Sequence, residues 1–217
     1  MNTQLIPTIN AETFEEVKEK IKILEEAAFV LGFEWIQIDV ADGTFTDNIL
    51  WNNPADLNSM GTNLKIEVHL MLDDIDSKIE DWIFSKVDRI IFHIETAKDP
   101  DLVINKCKVA GKEVGIALRF DTAVEHALEF KDSVDIYQVL GVVPGTAGQK
   151  TQEEAFNKIK VLRNACESCI IEIDGGTNEE TAKKAVDAGA NLIIAASAVF
   201  KDGQVKENIK RLKKIIK

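Results

Sequence analysis

Short apolar runs take turns along this chain with longer stretches in which apolar residues recur every three or four positions. The short runs, bounded by turn residues, predict strands, and the longer ones predict amphipathic helices. Residues 5–9 predict a first strand, and residues 12–31, rich in Glu, Lys and Ala, a long helix. The most informative stretch is Trp35-Ile-Gln-Ile-Asp-Val-Ala-Asp-Gly43. Ile36, Ile38 and Val40 alternate with Gln37 and Asp39, so this second strand carries polar side chains on one face. Asp42-Gly43 then ends it with turn chemistry. Further strands are expected at 64–70, 88–93, 113–118, 134–140, 169–174 and 192–195. Helices are expected at 76–85, 101–110, 123–130, 152–166, 179–188 and 204–216.

Eight strands, each followed by helical or turn-rich sequence, predict a (β/α)₈ TIM barrel occupying residues 1–217 as one domain. A doubly wound open sheet is the alternative. It would carry a glycine-rich dinucleotide fingerprint after its first strand, where this chain has Asn10-Ala-Glu-Thr13. No nucleotide cofactor is therefore expected.

Composition narrows the partners. The net charge of −11 argues against nucleic acid or an anionic membrane, which both need a basic footprint. An anionic substrate would have to be drawn in locally, by backbone amides and helix N-termini. The first eight residues lack a basic segment followed by an apolar core, so no signal peptide is expected, and the apolar run 192–200 is too short to span a bilayer. Three cysteines fit reduced thiols in a cytoplasm. Cys166 and Cys169 form C-x-x-C between a helix and a strand, with no second pair, so ordinary packing is expected there.

Barrel enzymes place their chemistry at the C-terminal ends of the strands. Those ends hold Thr8, Gln37, Asp39, Asp42, His69, His93 and Arg119. The seventh strand repeats the theme of the second, because Asp174 closes it just before Gly175-Gly176. Two strands that each deliver an aspartate point to one site between them. Three turns of small residues follow strands six, seven and eight: Pro144-Gly-Thr-Ala-Gly148, Gly175-Gly-Thr-Asn178 and Ala195-Ala-Ser197. Each can present backbone N–H groups with little bulk, so phosphate binding is expected from Gly145, Thr146, Ala147, Gly148, Gly175, Gly176, Ala196 and Ser197.

These motifs resemble the ribulose-phosphate 3-epimerase family. The resemblance rests on Asp-Val-Ala-Asp-Gly at 39–43, Val-His-Leu-Met at 68–71, Phe-His-Ile-Glu at 92–95, Pro-Gly-Thr-Ala-Gly-Gln at 144–149, Ile-Asp-Gly-Gly at 173–176 and Ala-Ala-Ser-Ala-Val-Phe at 195–200. It implies proton transfer at the carbon beside a ketone in a phosphorylated sugar, interconverting D-ribulose 5-phosphate and D-xylulose 5-phosphate. Asp39 and Asp174 would work on opposite faces of that carbon, with Thr8, His69 and Met71 in the pocket. The chemistry itself asks for a positioned base, a second acid and positive charge near the enediolate oxygen. The resemblance also implies a homo-oligomer and a divalent metal held by His, Asp, His and Asp.

Departures cluster around that pocket. Gln37 stands where the family has its first ligand histidine, leaving Asp39, His69 and Asp174 of the set. An amide oxygen is a weaker ligand than imidazole for zinc, so the set leans from Zn²⁺ or Fe²⁺ toward Mn²⁺ or Mg²⁺, or toward no metal. Ala41, Leu140 and Val143 replace family Met, Met and Asn, and Arg119-Phe120 replaces Asn-Pro. Arg119 at the mouth would either supply positive charge or pair outward with Asp121 or Glu113. A related phosphosugar lyase or decarboxylase is disfavoured, because His69 and Leu72 stand where those enzymes carry Lys and Asp. A non-catalytic phosphosugar-binding protein remains the third reading.

Overall fold

The computed structural model of the chain describes residues 3–144 and 149–217. Its strands are β1 (Gln4–Ile9), β2 (Trp35–Ala41), β3 (Lys65–Met71), β4 (Arg89–His93), β5 (Glu113–Arg119), β6 (Ile136–Leu140), β7 (Ile170–Asp174) and β8 (Leu192–Ala195). All pair in parallel with their sequence neighbours, and β8 returns to β1, which closes the TIM barrel. The helices are α1 (Phe14–Leu31), α2 (Ile75–Ile83), α3 (Pro100–Val109), α4 (Glu125–Leu128), α5 (Glu153–Ala165), α6 (Glu179–Ala188), α7 (Ser197–Phe200) and α8 (Val205–Ile215). No helix among the described residues is long and apolar enough to cross a membrane.

Helix α1 shows how local sequence builds the outer layer. Thr13 caps it by accepting from Glu16 N, and Gly32, at φ 64°, ends it with its N–H on Ala28 O. Val17, Ile21, Leu24, Ala27 and Ala28 fall on one face and are buried. Each large side chain among them contributes roughly 1.5–3 kcal/mol through removal from water. They join an extensive apolar layer between helices and strands that includes Ile36, Ile38, Val40, Ile79, Ile116 and Ile209.

Inside the bore lies a second, smaller apolar cluster of Ile6, Ile91, Ala117, Ile136, Leu192 and Ile194, with Trp35 against it. Below it the floor is polar. Arg89 Nη1 donates to Glu67 Oε2 at 2.5 Å, and its Nε and Nη2 reach Glu113 Oε2 at 2.8 and 2.6 Å. The guanidinium also lies 4.0 Å above the Trp35 ring. Neighbouring strands supply all three charges, because Glu67 registers with Arg89 and Arg89 with Glu113.

Two expectations are corrected. The helix predicted at 123–130 is a single turn, Glu125–Leu128, continued by turns rather than by helix. Cys166 and Cys169 are joined in a disulfide, not a pair of reduced thiols, since the turn from α5 to β7 brings their Cα atoms to 5.4 Å. Cys107 is a free, buried thiol whose pKa burial pushes up to about 12. Pro54–Ser59, in the segment after β2, forms a 3₁₀ helix, and Ala196-Ser197 opens α7 directly after β8.

Candidate active site

Strand alternation dictates which residues enter the bore. Odd-numbered positions of β2 and β3 face inward, so Gln37, Asp39 and Ala41 stand beside Glu67, His69 and Met71 in register. On the far wall, Gln138 registers with Glu172 and Leu140 with Asp174. The polar face of the second strand is therefore the barrel interior, and Gln37, Asp39, His69, Gln138, Glu172 and Asp174 are all buried there.

Asp39 and Asp174 converge. Gln37 Nε2 donates to Asp39 Oδ1 at 2.7 Å, to Asp174 Oδ2 at 3.2 Å and to Thr8 Oγ1 at 3.2 Å. Thr8 Oγ1 in turn reaches Asp39 Oδ1 at 3.4 Å. His69 Nδ1 lies 3.1 Å from Asp174 Oδ2 and 3.5 Å from Asp39 Oδ1, yet makes no hydrogen bond of proper geometry to either. It is a buried polar atom aimed at two carboxylates.

The other side of His69 is fixed by a short chain. His69 Nε2 meets His93 Nε2 at 2.9 Å, and His93 Nδ1 meets Glu95 Oε2 at 3.1 Å. Burial works against the Glu95 carboxylate, but hydrogen bonds from His93, Thr122 and the Arg119 backbone outweigh it and bring its pKa to about 2. Burial lowers the pKa of His93 and favours its neutral form. An ionised Glu95 accepts the Nδ1 proton of His93, so His93 Nε2 accepts and His69 Nε2 donates.

Charge in this cluster is finely placed. Burial and the Asp174 charge raise the Asp39 pKa, against the nearby His69 ring and a hydrogen bond from Gln37. Burial alone would lower the His69 pKa, but the two aspartates together raise it to about 9. Deeper in, burial and the neighbouring Glu67 hold Glu172 well above the usual carboxylate range.

Asp39, His69 and Asp174 each offer a ligand atom within 4.8 Å of the other two, a group that could hold a metal ion. The orphaned Nδ1 of His69 and the two carboxylate oxygens suit a divalent cation. Gln37 turns its nitrogen, not its oxygen, toward these atoms.

Above the cluster opens a cleft of about 180 Å³. Asp39 and Asp174 lie in its base, and Gly175, Gly176, Ala196 and Ser197 line one side. Gly175 and Gly176 take φ of 97° and 72°. A Cβ on Gly176 would come within 2.6 Å of Thr151 N, so a side chain there would collide with the β6–α5 loop. The opposite wall is apolar: Met71 and Leu50 line the cleft and form one cluster with Ala41 and Phe45. Leu140 also lines it, whereas Val143 is half-exposed and its carbonyl accepts from Gln149 Nε2 at 2.7 Å.

The remaining predicted residues fall as follows. Gly145, Thr146, Ala147 and Gly148 lie outside the described residues. Arg119 turns away to grip Asp121 with two bonds of 3.0 Å, while Glu113 belongs to Arg89 instead. Asp42 pairs with Lys78 at 2.6 Å. Sequence reasoning passed over Asn10 and Asn48, which line the cleft, and Gln138 and Glu172 beneath it. Gln138 and Glu172 carry the same alternation that marked Gln37 and Asp39, each lying between apolar strand neighbours.

Comparison with known proteins places this geometry. The sequence profile of the Ribulose-phosphate 3 epimerase family matches residues 4–200. The ribulose-phosphate 3-epimerase of Methanocaldococcus jannaschii is 36% identical over 226 residues, covering 95% of this chain and 88% of that protein. The chloroplastic ribulose-5-phosphate-3-epimerase of Arabidopsis thaliana is 34% identical, covering 95% and 75%. Among solved structures, 3-hexulose-6-phosphate synthase from Salmonella typhimurium shares the fold with TM-score 0.70 at 13% identity, over 99% of this chain and 98% of that one. That last likeness concerns the barrel alone. The family match and the curated relatives agree, and the chain is a member of the ribulose-phosphate 3-epimerase family, an isomerase built on a TIM barrel.

Proposed function

We propose that this enzyme interconverts D-ribulose 5-phosphate and D-xylulose 5-phosphate, with Asp39 and Asp174 as its proton-transfer pair. The observation that carries this reading is the meeting of two buried carboxylates from β2 and β7 across one Gln37 amide and one His69 ring. One carboxylate takes the proton from the carbon beside the ketone, and the C–H electron pair moves into an enediolate. The other returns a proton to the opposite face of that carbon. The raised pKa of Asp39, caused by burial and by the charge of Asp174, suits a group that must accept and return a proton.

The remaining residues bind and orient. Gly175-Gly176 and Ala196-Ser197 face the cleft with little side-chain bulk, which suits backbone N–H contacts to a phosphate. Thr8 and Gln37 hold the carboxylate oxygens of the pair by hydrogen bonds. A divalent cation held by Asp39, His69 and Asp174 would supply positive charge for the developing enediolate oxygen. The apolar wall of Ala41, Leu50 and Met71 keeps water from the reacting carbon.

Incubation of the protein with D-ribulose 5-phosphate in D₂O, followed by NMR, tests the reading. Expected are deuterium at the carbon beside the ketone and accumulation of the epimer. No incorporation, with or without added Mn²⁺, would overturn it.

A further inference from the structure

The Gln37 side chain does not end at the aspartates. Its Oε1 accepts from Gln138 Nε2 at 2.9 Å, and the same nitrogen donates to Glu172 Oε1 at 2.8 Å. All four groups of this ladder, Glu172, Gln138, Gln37 and Asp39, are buried, which strengthens the bonds between them. The polarity of the ladder is set at its aspartate end. Reversing the Gln37 amide would set its oxygen 2.7 Å from Asp39 Oδ1, and would set its nitrogen against the Gln138 nitrogen. Gln138 is in turn held by Glu172 Oε1, so it cannot reverse without losing that bond.

We infer that Gln37, locked by Gln138, is a donor that positions both aspartates, and that a divalent cation in this site is held by Asp39, His69 and Asp174 without it. The inference rests on the epimerase reading for the role of the aspartates, but its metal half stands apart from catalysis. Three ligands, two of them carboxylates, leave open positions for water or substrate oxygens and favour an oxygen-preferring ion. The Gln37 amide nitrogen, shared between Asp39 and Asp174, ties the two carboxylates to a common point.

The test uses the full chain stripped of metal with a chelator, then titrated with Mn²⁺ by calorimetry and with Co²⁺ by visible absorption. Gln37→Leu is expected to keep the Mn²⁺ Kd within threefold of the parent and to leave the Co²⁺ spectrum unchanged. Gln37→His, which places a ring nitrogen at the same position, is expected to tighten Co²⁺ binding at least tenfold and alter the spectrum. In the epimerase assay Gln37→Leu is expected to lower kcat at least tenfold while KM stays within threefold. A tenfold weaker Mn²⁺ Kd in Gln37→Leu, with a changed Co²⁺ spectrum, would identify Gln37 as a ligand and overturn the inference. An unchanged kcat would overturn its positioning half. Should Gln37→Leu fail to fold, Gln37→Met, of nearly the same length, is judged by the same criteria. Absence of deuterium exchange in the parent would defeat the epimerase reading and leave the metal titrations to decide the ligand set.

Discussion

The barrel buries charge in two places, and it treats them differently. At the floor, every guanidinium nitrogen that Arg89 offers is matched to Glu67 or Glu113, and its flat face is covered by Trp35. At the mouth, Asp39 and Asp174 are brought together around the Gln37 amide, and His69 Nδ1 points at them without a hydrogen bond. A permanent cation with a settled partner list holds strands together. The close approach of two buried carboxylates instead raises the proton affinity of Asp39. The floor is built to stay as it is, and the mouth to change.

The sharpest way to break that contrast is at the mouth. Asp39→Asn or Asp174→Asn is expected to lower deuterium exchange into D-ribulose 5-phosphate by about 10²–10⁴-fold. The thermal midpoint should hold or rise, since a mutually repelling pair has been relieved; a collapsed midpoint would mark the aspartates as structural. At the floor the pattern inverts. Arg89→Met leaves Glu67 buried without its cation and is expected to cost about 3–5 kcal/mol in urea unfolding. Arg89→Met combined with Glu67→Met should recover much of that loss.

Glu95 lies between the two regimes, since it is a settled carboxylate, hydrogen-bonded to His93, in direct line with His69. Its pKa of about 2 in the fold is below its ordinary 4.5, so its stabilisation is complete above about pH 4.5 and is lost as pH falls through about 2. Glu95→Gln is expected to cost about 2 kcal/mol at pH 7, with the gap to the parent closing on acidification. A constant gap from pH 7 to pH 3 would show that charge is not what Glu95 contributes. The smallest effect belongs to Arg119, whose partner Asp121 is exposed at the rim. Arg119→Met is expected to shift stability by less than about 0.5 kcal/mol and exchange by less than twofold. A larger loss of exchange would return Arg119 to the site.

The strands and most helices were legible because each carries its own signal. Period-two alternation marked β2 and β7, and the turns Asp42-Gly43 and Gly175-Gly176 marked their ends. The pairing of Asp39 with Asp174 was also legible, because the fold dictates that strand ends meet at one mouth. Other features needed the closed barrel to be seen. Gln138 and Glu172 read locally as polar positions of a half-exposed strand, and only the bore turns them into a buried ladder under Gln37. The orientation of the Gln37 amide belongs to the same class, since its sequence neighbours Ile36 and Ile38 face the outer layer and say nothing of Gln138. Helix α4 was overextended in the sequence because Val124, Ala127, Leu128 and Phe130 all reach the apolar layer, while the chain beyond Leu128 continues in turns. Cys166 and Cys169 carried the C-x-x-C spacing, but that spacing alone does not show that the turn after α5 sets them at bonding distance.

The return of β8 to β1 has a consequence for stereochemistry. An open sheet presents a ligand with one surface, so a group that must be visited from both sides has to be turned over or met by a moving lid. A ring of strands has walls that look at one another, and β2 and β7 stand on different arcs of it. On the proposed roles of Asp39 and Asp174, a flat, prochiral intermediate lodged between them would be met from two directions at once, and handedness would be rewritten while the molecule stays where it is.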